Sequence, residues 1–135
     1  MPLAIPQQAR REARLGLELK RAGYQGATAV GVRRGRQLAR GGTVSDADAR
    51  VIYNWFRRHG PTARRGSAGT SGPSYNRFRD LWNRGDVGAI EDRGTARWRG
   101  AVAYLLWGGA PMRNAVYRYF GTPVAVAQRG LRRLS

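Results

Sequence analysis

The sequence has no cysteine, one histidine, one lysine and only eight carboxylates, and each shortage removes a class of chemistry. Without cysteine there is no disulfide framework and no thiolate metal site, and the redox compartment stays open. His59 has no second histidine with which to share a metal ion. A lone histidine at a helix end is expected to cap carbonyls or meet the helix dipole. No run approaches the ~20 apolar residues that span a bilayer, and Met1-Pro2-Leu3-Ala4-Ile5-Pro6 lacks the long apolar stretch of a signal peptide. The expectation is a soluble, unexported protein. Gly26 to Gly35 contains glycines but no Gly-Lys-Ser/Thr ending, so it offers no nucleotide-binding loop and no cofactor is expected.

What the chain does have is arginine. Twenty-four arginines and Lys20 against eight acids leave a net charge of +17 over 135 residues. That is about one unpaired positive charge for every eight residues, enough for neighbouring clusters to sum into a continuous field that a polyanion would neutralise. Guanidinium groups also make planar, forked contacts to phosphate that an ammonium cannot make. A GC-rich genome explains an excess of arginine over lysine equally well, but it does not explain the missing acids. Hydrophobic residues at 41% are sufficient for a core, so the charge belongs to a folded domain and not to a disordered tail. The length fits one domain spanning residues 1–135.

Apolar spacing is helical almost throughout. From Gln7 to Arg21, Ala9, Ala13 and Leu17 follow one line and Leu15, Leu19 and Ala22 another, while Arg10, Arg14, Glu18 and Arg21 share a polar face. A second helix is predicted from Ala27 to Arg40, with Gly31, Gly35 and Leu38 on one side and Arg33, Arg36 and Arg40 on the other. Ser45 opens a third, running to His59 and burying Val51, Ile52, Trp55 and Phe56, with Arg50, Asn54 and Arg57 outside. Residues 60–74, rich in Gly, Ser, Thr and Pro and carrying Arg64 and Arg65, read as a flexible basic loop. Tyr75, Phe78, Leu81 and Trp82 predict a short helix to Arg84, followed by an irregular stretch through Gly94. A helix capped by Thr95 and apolar on most sides, through Trp98, Ala101, Val102, Leu105 and Leu106, belongs at the centre of the core. Pro111 is expected to be the first residue of a further helix that buries Met112, Ala115, Val116, Tyr119 and Phe120. A last helix follows Thr122-Pro123, with Arg129, Arg132 and Arg133 outside. No stretch alternates with period two, so the fold class is all-α, a compact bundle of about five to seven short helices.

Leu38 to Val51 is similar to a helix-turn-helix, in which Arg50, Asn54 and Arg57 would reach DNA. Asp46 and Asp48 would repel phosphate there, and two core helices joined by a tight turn is the favoured reading. The residues expected to contact nucleic acid are therefore Arg33, Arg36, Arg40, Arg50, Asn54, Arg57, Arg64, Arg65, Arg129, Arg132 and Arg133. Tyr75, Trp82 and Tyr117 can stack on unpaired bases, although core packing is the expected role of each. Asp80, Asp86, Glu91 and Asp92 are expected to pair with Arg77, Arg79, Arg84 and Arg93 in preference to holding the magnesium ion of a nuclease. The chain is not expected to be an enzyme, and no metal site is assigned.

Gly31-Val32-Arg33-Arg34-Gly35-Arg36-Gln37-Leu38-Ala39, Phe56-Arg57-Arg58-His59 and Leu106-Trp107-Gly108-Gly109 carry a resemblance. Over roughly residues 7 to 109 the chain resembles a small helical module of tailed bacteriophages and environmental viruses. That module has a Gly-Val-x-Arg-Ala-Arg-x-Leu stretch, a Phe-x-Arg-His helix end and a Trp-Gly-Gly closing a buried helix. Here Gly35 replaces the usual Ala, Ala110 stands where an acid often follows the glycines, and a C-terminal helix pair is added. The resemblance carries no activity with it and implies a viral context, in the virion or the host cytoplasm. Two functions are expected from charge and context together. The first is DNA binding largely without sequence preference, with DNA ahead of RNA, in genome organisation or packaging. The second is a minor capsid or helical coat subunit whose partners are the genome and neighbouring subunits. No membrane partner is expected, and self-association is left open, as is duplex against single strand.

Overall fold

Small residues on the first two helices make room for a leucine of a later one. In the computed structural model, which describes residues 2–59 and 71–121, α1 (Gln7–Arg21) buries Ala9, Ala13 and Gly16 beside Leu15 and Leu19, and α2 (Ala29–Arg40) buries Gly31, Gly35 and Leu38. The two form a hairpin, and α2 starts two residues later than its apolar pattern suggests because Thr28 caps it. The Thr28 Oγ1 accepts the Gly31 amide at 3.3 Å. Ser45 caps α3 (Asp46–His59) in the same way, accepting the amide of Asp48 at 3.1 Å.

Two strands that the sequence does not announce tie the N-terminus to the α2–α3 turn. Leu3–Ala4 (β1) pairs antiparallel with Thr43–Val44 (β2), and the Ile5 amide continues the ladder to the Gly42 carbonyl at 2.9 Å. Two residues per strand are too short for alternation to register. Among the described residues this is the only sheet beside seven helices, so the fold is all-α.

The remaining helices are α4 (Ser71–Asn83), α5 (Val87–Asp92), α6 (Arg99–Leu106) and α7 (Gly109–Tyr119). As expected, α6 is the centre: Ala101, Val102, Tyr104, Leu105 and Leu106 are all fully buried, and the helix packs against α1, α2, α4 and α7. Leu106 packs against both α1 and α2. A β-carbon on Gly16 would lie 3.0 Å from the leucine, and one on Gly35 would lie 2.5 Å from its Cδ2. Glycine at 35 leaves that space to the leucine. The Trp-Gly-Gly motif turns the chain from α6 into α7. Gly108 and Gly109 adopt φ of +100° and +64°, which β-carbons disfavour, and a β-carbon at Gly109 would also meet Glu12 Oε1 at 2.6 Å.

Several boundaries differ from the sequence reading. Helix α4 begins at Ser71, taking the last four residues of the expected loop; Pro73 lies in its first turn, where no backbone donor is needed. Residues 60–70 lie outside the described residues. The stretch read as irregular contains α5, capped by Asp86 accepting the Ala89 amide at 3.2 Å. Helix α6 begins at Arg99, after Trp98, and Thr95 does not cap it; the Thr95 carbonyl instead accepts the Gln25 amide at 3.0 Å. Pro111 is the third helical residue, still among the positions whose amide would have no intrahelical partner. Val51 is 46% exposed, because α3 turns Ala49, Ile52, Tyr53 and Phe56 inward. The last expected helix, 122–135, lies outside the described residues.

The α2–α3 segment is not built as a helix-turn-helix. Helix α2 packs on α1 and α6, whereas α3 packs on α7, and the intervening turn is committed to the strand pair. What joins α2 to α3 is polar. Asp48 accepts Gln37 Nε2 at 3.2 Å and lies 3.5 Å from Arg34, whose guanidinium also covers the Trp107 ring at 5.4 Å.

Candidate nucleic-acid interface

On α1, Arg10 and Arg14 are four residues apart, as are Arg36 and Arg40 on α2, so each pair is spaced by about 6 Å along its helix. In the hairpin the two pairs face a common groove of about 630 Å³, floored by Leu17 and Ala39. No carboxylate lines it, and none of the four guanidiniums is ion-paired among the described residues. Arg10 lies deepest. Its side chain runs beneath Gly41, where a β-carbon would come within 2.6 Å of Nε, and that Nε is buried with no hydrogen-bond partner. All four charges lie within about one Debye length of a neighbour, so their fields add instead of being screened apart.

Five of the eight acids are engaged elsewhere, and the exposed Glu18, on the polar face of α1, does not line the groove. Glu12 faces away from the groove into the core, where it accepts the Tyr75 hydroxyl and lies 3.7 Å from Arg79. Burial raises its pKa against the lowering effects of those two partners. The Tyr75 oxygen in turn accepts the Ala110 amide at 3.1 Å, joining α1, α4 and α7, and its own pKa is pushed well up by burial and by the carboxylate. Asp46 accepts the Tyr119 hydroxyl. Asp80 pairs with Arg84 at 3.1 Å, as expected. Arg79, expected to pair within its own segment, reaches Glu12 of α1 instead. Arg77 and Arg93 do not join the nearby acids; with Arg97 they surround a separate pocket. Among the described residues no three His, Asp or Glu side chains come together so as to hold a metal ion.

Of the residues expected to contact nucleic acid, Arg33, Arg36 and Arg40 are exposed on α2, and the last two enter the groove. Arg50, Asn54 and Arg57 are exposed on α3 but do not join them. Arg34 reaches toward α3, and Arg36 lies about 160° round the helix from it, so the basic face of α2 turns away from α3. Two of the α3 set are also engaged. Arg50 lies 4.1 Å from the Phe120 ring centroid and 5.6 Å from that of Tyr53, and Arg57 lies 5.6 Å from Tyr53. Arg64, Arg65, Arg129, Arg132 and Arg133 lie outside the described residues.

Tyr75 and Tyr117 are buried and unavailable for stacking, whereas Trp82 is 39% exposed and stacked on Phe78. His59 stacks on Trp55 at 4.5 Å, and its Nδ1 is 3.0 Å from the Trp55 carbonyl; since a carbonyl only accepts, Nδ1 carries the hydrogen. This is the carbonyl-capping role expected of it. Sequence reasoning missed Arg10 and Arg14 as interface residues. The sequence does place them on one polar face of α1, but that this face meets α2 is a tertiary fact.

Comparison with protein-family models, with curated proteins and with solved structures finds no match to this chain. No helix among the described residues is long and apolar enough to cross a membrane.

Proposed function

We propose that this protein binds the phosphate backbone of nucleic acid, DNA ahead of RNA and largely without sequence preference, in organising or packaging a viral genome. The observation that carries this reading is the α1–α2 groove, in which Arg10, Arg14, Arg36 and Arg40 line one channel with no acid among them. Two rows of guanidiniums facing each other suit a running backbone, since each phosphate can be met from either wall by a forked donor. Helix α2 presents Arg33 beside the groove, extending the positive face. The charged groups of the groove are all guanidiniums, which a running phosphate backbone satisfies whatever the base sequence. The viral setting rests on the motif resemblance over residues 7 to 109.

The test is a mobility-shift titration over a range of salt concentrations, with duplex DNA, single-stranded DNA and RNA in parallel. Expected is duplex binding that weakens steeply as salt rises, because bound phosphates release condensed counterions. Salt-insensitive binding, or none at low salt, overturns the proposal. Self-assembly without salt-sensitive DNA binding would support the other expectation, a capsid or coat subunit, in its place.

A further inference from the structure

A second arginine cluster has a different shape from the groove. Arg77 projects from α4, Arg93 follows the last residue of α5 and Arg97 lies in the turn before α6, and the three line a single pocket of about 340 Å³ with Pro73, Ser74 and Trp98. No carboxylate lines it, and none of the three arginines is ion-paired among the described residues. Of the acids nearest in the sequence, Asp80 holds Arg84 and Asp86 caps α5, while Glu91 and Asp92, next to Arg93, are exposed and do not line the pocket.

The floor of this pocket is fixed. Trp98 is buried, and its indole Nε1 donates to the Ile90 carbonyl at 3.0 Å, which locks the ring between α5 and α6. The Arg93 guanidinium lies 5.5 Å from that ring's centroid, so one of the three charges is anchored. Ser74 Oγ accepts the Ala101 amide at 3.2 Å, which leaves the serine's own hydroxyl hydrogen to donate.

Convergence is what separates the two arginine sites. A phosphodiester inside a strand carries one negative charge and two free oxygens, and a row of arginines suits a row of them. A phosphate monoester carries about −1.5 to −2 at pH 7 and three free oxygens, so it is the group that three forked donors and a hydroxyl around one small pocket suit best. We propose that the pocket formed by Arg77, Arg93, Arg97 and Ser74 binds a phosphate monoester, the terminal phosphate of a nucleic-acid strand. The pocket supplies the monoester chemistry; that a strand carries it rests on the function proposed above. The protein would then hold strands by their length in the groove and recognise their phosphorylated ends in the pocket.

The experiment compares one short oligonucleotide bearing a 5′-phosphate with the same oligonucleotide ending in a 5′-hydroxyl, by fluorescence anisotropy at fixed salt. Expected is at least about tenfold tighter binding of the phosphorylated strand, the effect of one or more charge-assisted hydrogen bonds. Arg77→Gln with Arg97→Gln should abolish the ratio, and among the described residues neither arginine has a ring or carboxylate partner whose loss would disturb the fold. A charge-matched control, Arg36→Gln with Arg40→Gln, should weaken both strands and keep the ratio. Equal binding of the two strands by the unaltered protein overturns the inference alone. Binding of neither overturns it together with the nucleic-acid reading. A phosphoserine peptide that displaces the phosphorylated strand at lower concentration than inorganic phosphate overturns the assignment to nucleic acid. A ratio lost equally in the control pair shows general charge at work and overturns it too.

Discussion

A β-carbon on Gly35 of α2 would sit 2.5 Å from Cδ2 of Leu106, the last residue of α6. The same leucine is 3.0 Å from where a β-carbon on Gly16 of α1 would be, so three helices meet on one side chain. Leu106 is fully buried.

Gly35→Ala therefore tests which of two opposed effects prevails. Alanine in a helix gains about 1 kcal/mol over glycine. Overfilling a packed core costs about 1–3 kcal/mol. With the leucine buried, the cost should prevail, and urea unfolding should show a net loss of up to about 2 kcal/mol. Gly88 of α5 supplies the opposite case, because nothing lies within 4 Å of a β-carbon there and the backbone is not left-handed. Gly88→Ala should leave stability unchanged or raise it by up to about 1 kcal/mol.

The Glu12–Tyr75 pair is the next place where one atom matters. Removing the hydroxyl in Tyr75→Phe leaves a buried carboxylate oxygen and the Ala110 amide without their partner. A buried group stranded in this way costs about 1–3 kcal/mol, and more when charged. The expected loss is about 2–3 kcal/mol by urea unfolding. A loss below about 0.5 kcal/mol would mean that water reaches the site.

Burial also makes Glu12 a source of pH dependence, with a definite sign. Its pKa is raised from 4.5, so the folded protein holds the proton more tightly than the unfolded chain does. The stability this group contributes is fully present below about pH 4.5 and is lost as pH rises through the raised value. Glu12→Gln removes the titration. The unfolding free energy of the natural protein minus that of the variant should fall as pH rises from 4, then level off above the raised pKa. A difference that climbs with pH would show that Tyr75 and Arg79 outweigh desolvation.

Both ends of α1 and the central place of α6 were legible because their apolar residues repeat over more than two turns. The cap at Ser45 was legible because a side-chain oxygen before a helical pattern has a local task. Helix α5 was not, since six residues burying only Ile90 leave no period to detect. Nor was the burial of Glu12, whose partner hydroxyl lies 63 residues along the chain. The candidate interface was half legible. Arg36 and Arg40 stand out on α2, but that Arg10 and Arg14 face them depends on how α1 packs, and Arg77, Arg93 and Arg97 converge only after α4, α5 and α6 have assembled. Helical period shows which residues share a face of one helix; it is silent on which two faces meet.

The arginines of α2 and α3 should separate when each is replaced. Arg36→Gln with Arg40→Gln removes two groove charges, and if each meets a phosphate, the slope of log affinity against log salt for duplex DNA should shrink by about 1.8, at 0.9 per contact. Both side chains are exposed, so the melting temperature should hardly move. Arg50→Gln should behave in the reverse way. Its guanidinium lies 4.1 Å from the Phe120 ring, a contact between α3 and the end of α7 worth about 0.5–1 kcal/mol at an exposed site. Stability should fall by that amount, and the salt slope should change by less than half of one contact. Equal slope changes for Arg50 and for a groove arginine would instead place DNA across both helices, and the positive surface used would then be wider than the α1–α2 groove.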